Sequence, residues 1–120
     1  MKINSFSESK YYIICPSNID TGGPKDLHQL ALELRELGKK VFIHYFPINQ
    51  NSKIDQNKEI KVHKNYEIFD LPFTDKIEDS DRNILIIPEI DQAIKISKKY
   101  QKIQKILWWL SLDFFFITHF

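Results

Sequence analysis

Two adjacent glycines stand where a polar loop gives way to a helical pattern, and they are the clearest candidates for ligand binding. Gly22 and Gly23 end a loop over residues 16–23 that follows a short apolar run. Glycines at this place let backbone amides approach a ligand closely, and the positive end of the helix dipole favours an anion such as a phosphate. A turn that simply needs glycine is the alternative interpretation.

Four other residues could add side chains to the same site. His28 lies one turn into the helical pattern, where it could reach a ligand or lie on the helix surface. Glu89 follows another apolar run, so its carboxylate could face a ligand or lie at a helix N-terminus. A third loop, residues 111–116, contains Ser111 and Asp113, and Asp113 could point into a cleft or cap a helix.

Several classes of site are excluded by the sequence. The four histidines show no metal-ligand spacing, and a single cysteine rules out a cysteine-rich zinc site, so we expect no metal. That residue, Cys15, ends an apolar run and is expected to be a small buried side chain rather than a reactive thiol. The chain has neither a G-x-G-x-x-G loop nor a P-loop, which disfavours dinucleotide and P-loop nucleotide sites.

The charge balance gives no global field for binding nucleic acid. Seventeen Lys and Arg residues oppose 16 Asp and Glu residues, and only Arg35 and Arg82 are arginines. Five lysines within residues 95–105 are most simply a solvated helix face, with contact to anionic lipid headgroups as the alternative. The polar lead-in, residues 1–10, does not resemble a secretory signal. We therefore expect a cytoplasmic protein, with peripheral contact at the inner face of the membrane left open.

Four short apolar runs predict buried strands of a parallel sheet. They lie at residues 11–15, 41–46, 84–87 and 106–110, and a proline closes each of the first three. A weaker alternation over residues 59–66 predicts a short edge strand. Residues 71–82 are predicted to form a loop or to contain one short helix.

Two stretches have the spacing of helices. The apolar stripe of the first consists of Leu27, Leu30, Ala31, Leu34 and Leu37. Pro24 suits the first turn of this helix, Asp26 complements the positive end of its dipole, and Gly38 can adopt the left-handed conformation that ends it. The second helical face consists of Ala93, Ile96, Tyr100 and Ile103.

Strands that alternate with helices indicate a doubly wound α/β fold, with a parallel sheet covered by helices on both faces. In such a sheet, ligands bind beyond the carboxyl ends of the strands, where the loops at residues 16–23, 88–91 and 111–116 are expected to lie. The chain has 120 residues, slightly fewer than a typical domain of about 150, so we expect one domain at most.

Three segments, taken in order, resemble the N-terminal domain of GT-B-type glycosyltransferases, especially those of bacterial capsule and lipopolysaccharide synthesis. The first is YYIICP followed by TGGP, LHQLA and LG, within residues 11–38. The other two are IPEI at residues 87–90 and ILWWLSLD at residues 106–113. The resemblance extends over most of the chain, from about residue 11 to residue 116.

This resemblance implies a Rossmann-like, acceptor-side domain that is normally followed by a second domain for the nucleotide-sugar. In such enzymes the loop after the first strand lies near the phosphates of the donor, a role that would fall here on Thr21, Gly22 and Gly23. The implied reaction is metal-independent glycosyl transfer of the hexosyltransferase type, without a cofactor. The implied partners are a nucleotide-sugar and a glycan or lipid-linked acceptor.

The chain departs from the family because the residues that bind the donor belong to a C-terminal domain that is absent from these 120 residues. We therefore expect residues 1–120 to form a partial, truncated N-terminal domain that is inactive alone. Six aromatic residues fall in the last thirteen positions, which favours self-association or a partner. The alternative is a non-catalytic α/β binding module that docks a separate catalytic subunit.

Overall fold

A four-stranded parallel sheet forms the centre of the molecule. The computed structural model describes residues 3–17, 22–47, 62 and 64–108. The strands are β1 (Lys10–Pro16), β2 (Lys40–Phe46), β3 (Ile84–Pro88) and β4 (Gln104–Trp108). The helices are α1 (Gly22–Glu36), the single turn α2 (Lys64–Glu67) and α3 (Asp91–Ser97). All of the strand pairs are parallel, in the order β2-β1-β3-β4.

The strand order reverses beside β1. The chain passes from β1 to β2 on one side and then returns across β1 to form β3 on the other side. The point of reversal therefore lies between the carboxyl ends of β1 and β3. In open α/β sheets this is where a crevice forms between the loops and where ligands bind.

Both faces of the sheet are covered, as a doubly wound α/β fold requires. One face packs Ile13 and Cys15 against Leu27 of α1. The opposite face packs Ile14 against Ala93 of α3, with Leu85 of β3 between them in the same cluster. Burial on both faces explains why the strands are continuous apolar runs rather than alternating ones. The predicted α/β class is thus confirmed.

Helix α1 begins earlier than predicted and ends where predicted. It starts at Gly22, so both glycines lie in its first turn and Asp26 lies beyond that turn, where it does not complement the helix N-terminus as expected. At the other end Gly38 has φ of +83°. The Gly38 amide donates to the Arg35 carbonyl and the Lys39 amide to the Leu34 carbonyl. These two bonds form a Schellman motif, which ends the helix.

The edge of the sheet differs from the prediction. Within residues 59–66 the part that the structure describes includes the start of helix α2, so the predicted edge strand is wrong there. Instead Phe73 forms a single parallel bridge with Ile43 of β2. The Ile43 amide donates to the Pro72 carbonyl and the Thr74 amide donates to the Ile43 carbonyl, both at 2.9 Å. We call residues 72–74 the edge strap; the rest of residues 71–82 contains no helix.

Helix α3 ends at Ser97, earlier than its apolar pattern predicts. The backbone after it is bonded to the side chain of Asp79, which is distant in the sequence. The Asp79 carboxylate accepts hydrogen bonds from the amides of residues 101, 102 and 103 at 2.9–3.1 Å. Burial acts to raise the pKa of Asp79, but these three bonds outweigh it and the pKa is lowered. Ile103 is still buried, but it enters the core from this turn and not from the helix.

Two leucines of the predicted apolar stripe provide a test of this packing. Leu27 is fully buried, whereas Leu37 lies past the end of α1 and is 73% exposed. We expect Leu27→Ala to lower the free energy of unfolding by about 2–5 kcal/mol. We expect Leu37→Ala to change it by about 0.5 kcal/mol or less. Urea unfolding followed by circular dichroism measures both, and equal losses would contradict the packing of α1.

The contact between His44 and the edge strap predicts how the stability of the protein depends on pH. His44 Nδ1 donates to the Thr74 carbonyl at 3.0 Å. Burial lowers the pKa of His44, and repulsion from Lys99 acts in the same direction, against the Thr74 bond and Asp75. Between this lowered pKa and about 6.5, the unfolded chain binds a proton that the folded chain does not, so stability rises with pH.

The variant His44→Gln removes this titration and should therefore flatten the rise in stability below about pH 6.5. The urea midpoint, measured at several pH values for wild type and variant, gives the two slopes. Because the other histidines and the carboxylates titrate in both proteins, the difference between the slopes reports His44. Equal slopes would show that His44 does not resist protonation in the folded protein.

Candidate functional site

The glycines and Glu89 lie at the same edge of the sheet. The pairing of Ile13 with Ile86 aligns β1 with β3, so the carboxyl ends of the two strands are side by side. Gly22 begins α1 on the far side of the short loop after β1. Glu89 follows Pro88, the last residue of β3. The glycines and Glu89 therefore lie at the same, carboxyl edge of the sheet, where the strand order reverses.

The first turn of α1 offers backbone donors at this edge. The first four amides of a helix lack partners within the helix, and here they include those of Gly22 and Gly23. The third position is Pro24, which has no amide hydrogen. With no side chain beyond a hydrogen, the two glycines allow a ligand to approach the helix axis closely. This geometry fits an anionic ligand.

The other predicted site residues have different outcomes. Glu89 is half-buried and lies two residues before the start of α3 at Asp91, and because the N-cap is Ile90, Glu89 is not itself the cap. Thr21, Ser111 and Asp113 lie outside the described residues, and their predicted roles stay predictions. Cys15 is fully buried and burial raises the pKa of its thiol, which agrees with its predicted role as a small core residue.

His28 does not lie on the surface of the helix, one of its two predicted positions; it is buried, at 1% exposure. Its Nδ1 lies 2.6 Å from the Pro24 carbonyl, and its Nε2 lies 2.6 Å from the Tyr45 hydroxyl. A carbonyl only accepts, so Nδ1 carries the hydrogen. In the neutral ring Nε2 then accepts from Tyr45. The imidazole thus joins α1 to β2.

Two tyrosines complete the surroundings of His28. The Tyr66 ring stacks on the imidazole, with centroids 3.8 Å apart and planes 10° from parallel. Burial, followed by the nearby Cys15 and Tyr66, raises the pKa of Tyr45, so its hydroxyl stays protonated and able to donate. His28 is therefore held as a structural link by two hydrogen bonds and a stacked ring.

A cleft of about 240 Å³ opens beside this link. Its lining combines three aromatic residues, a histidine, two aliphatic residues and two carboxylates: Tyr45, Tyr66, Phe73, His28, Val62, Leu71, Glu67 and Asp70. Sequence reasoning did not identify this cleft, because its residues come from three separate parts of the chain. Phe73 lies in a stretch without helical or strand periodicity, so nothing in the local sequence indicated that its ring lines a cleft.

Two further features of the described residues bear on the class of site. Among residues 3–17, 22–47, 62 and 64–108, no group of three or more His, Cys, Asp or Glu side chains could hold a metal ion. In the same part of the chain no helix has the length and apolar character needed to cross a membrane.

Comparisons of this chain with protein families, with curated proteins and with solved structures found no match.

The link between His28 and Tyr45 can be tested by removing one oxygen atom. Tyr45→Phe leaves the buried Nε2 of His28 without this donor, so we expect a loss of about 1–3 kcal/mol in the free energy of unfolding. In a His28→Leu background the same change should cost much less, because the acceptor is gone. A double-mutant cycle by urea unfolding measures this coupling. Equal losses of unfolding free energy in both backgrounds would mean that the Tyr45 hydroxyl does not donate to His28.

Proposed function

We propose that this chain forms the Rossmann-like, acceptor-side part of a GT-B-type glycosyltransferase that builds cell-surface polysaccharide. The observation that carries the proposal is the start of α1 at Gly22, at the carboxyl edge of the sheet where the strand order reverses. The family resemblance implies that this loop after the first strand lies near the phosphates of a nucleotide-sugar. The protein would act in the cytoplasm, with its acceptor at the inner face of the membrane.

The order of the strands supports this proposal. When the edge strap is counted as a rudimentary third strand, the order becomes strap, β2, β1, β3, β4. Numbered along the chain, that is 3-2-1-4-5, the order of a Rossmann sheet. The chain reaches the strap before it crosses to β3, as that order requires.

In the proposed reaction this chain orients the diphosphate of the donor and presents the acceptor. As the bond from the sugar to the diphosphate breaks, negative charge grows on the leaving phosphate oxygen. The amides of Gly22 and Gly23 would donate to oxygens of the diphosphate and stabilise that charge. A second Rossmann-like domain would bind the nucleotide, so the chain needs that domain in order to catalyse transfer.

A second candidate is a non-catalytic module that docks a separate catalytic subunit. It is favoured by β4, the last strand of the described sheet, where Leu107 and Trp108 are 43% and 37% exposed. Large apolar side chains on an edge strand are suited to contact with another chain. This candidate requires no response of the glycine amides to nucleotide-sugars, so the next experiment separates the two.

Titration of the full chain with nucleotide-sugars tests the proposed function. In two-dimensional ¹⁵N–¹H NMR spectra, UDP-, GDP- and CMP-sugars at millimolar concentration should shift the amides of Gly22 and Gly23. The Gly38 amide, which is bonded at the opposite end of α1, should stay in place. In a Gly23→Ala variant with unchanged circular dichroism, the added methyl should weaken the response.

Inorganic phosphate is the control for a helix N-terminus that binds any anion. The proposal requires that one of the nucleotide-sugars act at a lower concentration than phosphate. If no nucleotide-sugar shifts the glycine amides, or if phosphate alone acts as strongly, the donor-facing role of this loop is wrong.

A further inference from the structure

We propose that the exposed ring of Phe73 is a platform on which a neutral oligosaccharide stacks, with sugar hydroxyls bonded in the clefts on either side. This inference rests on the proposed function, because it identifies the surface on which the acceptor glycan would bind. Binding of a saccharide at this surface can nevertheless be measured without any donor.

The ring of Phe73 is both exposed and fixed. It is 57% exposed, although it belongs to the edge strap, whose backbone is bonded to β2 on both sides of the ring. It meets the Tyr45 ring edge-on, with centroids 5.9 Å apart and planes at 62°. An aromatic surface held in this way loses little conformational entropy when a ligand covers it.

Two clefts meet at this ring. The cleft beside His28 measures about 240 Å³, and a second cleft of about 310 Å³ is lined by Tyr45, Phe73, Thr74 and Asp75. Phe73 and Tyr45 line both. Each volume alone is near or below the roughly 300 Å³ at which ligand pockets begin, so a ligand that crosses Phe73 and enters both clefts fits better than one confined to either. Such a ligand contains at least two sugar rings.

The chemistry of the lining selects the class of ligand. Carboxylates lie on both sides of the ring, with Glu67 and Asp70 in the first cleft and Asp75 in the second. Carboxylates accept hydrogen bonds from hydroxyl groups and repel phosphates. Of the described residues that line the two clefts, none is lysine or arginine. A sugar offers what this surface fits: an apolar face of C–H groups for the ring and a rim of hydroxyl donors.

An organic cation is the main competitor for such a surface. An exposed aromatic ring contributes only about 0.5–1 kcal/mol to the binding of a cation. Sites that bind cations tightly enclose the charge among several rings. Phe73 instead presents an open surface between two clefts, which suits the flat face of a pyranose. The test below includes a cation for this reason.

The experiment is a ¹⁵N–¹H NMR titration of the full chain with maltotriose, cellotriose and chitotriose. At least one trisaccharide should shift the amides of Phe73 and Thr74 with saturable, millimolar affinity. Phe73→Ala should weaken this binding by about three- to tenfold, the loss of one stacking contact. Asp75→Asn should weaken it too, since a neutral amide oxygen is a poorer acceptor than a carboxylate.

Phe6→Ala is the matched control, because Phe6 is also a partly exposed phenylalanine, at 38%, but contacts Arg82 and lines neither cleft. It should leave the affinity unchanged, and circular dichroism should show that all variants keep their fold. Three results would overturn the proposal: no binding of any trisaccharide, equal losses in Phe73→Ala and Phe6→Ala, or displacement of the saccharide by tetramethylammonium chloride. If these results occur while Gly22 and Gly23 respond to a nucleotide-sugar, only the platform is wrong.

Discussion

Burial of β1 on both faces and along both edges is the constraint on which the rest of the structure depends. Ile13, Ile14 and Cys15 are fully buried, and the strand pairs with β2 on one side and β3 on the other. A strand without a solvated face requires a layer of helix above and below it, which α1 and α3 supply. Because β1 pairs with β2 on one edge and with β3 on the other, the chain has to cross β1 once between forming β2 and β3. The reversal of strand order at the carboxyl edge therefore follows from the same constraint that builds the core.

The sequence predicted those parts of the fold that local patterns determine. Continuous apolar runs identified the four strands, and a stripe of leucines with Gly38 beyond it identified α1 and its end. The early end of α3 could not be predicted, because it depends on Asp79, more than twenty residues before the amides that it binds. The edge strap was missed for a similar reason. A strand reduced to a single bridge leaves no periodic pattern in the sequence. The weak alternation over residues 59–66 instead indicated a strand in a region that includes the start of α2.

The candidate site divides in the same way. Gly22 and Gly23 were identified because a glycine pair before a helical pattern is a local signal, and the structure places them at the carboxyl edge of the sheet, the same edge as Glu89. His28 was predicted to reach a ligand or to lie on the helix surface, because it stands one turn into the helical pattern and close to the loop. Its burial depends on Tyr45 and Tyr66, which lie far along the chain. A hydrogen-bonded and stacked histidine cannot be distinguished from a solvated one by spacing alone.

The opposite edge of the sheet is built differently. Asn83, which is buried, accepts from the Lys10 amide through its side chain and from the Gln104 amide through its carbonyl, so one residue joins the entrances of β1, β3 and β4. Its side-chain amide donates to the Glu78 carbonyl. These bonds tie the amino ends of three strands into a rigid base. Loops at the carboxyl edge can therefore change in length and sequence without altering strand register, which makes this fold a support on which binding specificity can evolve separately from stability.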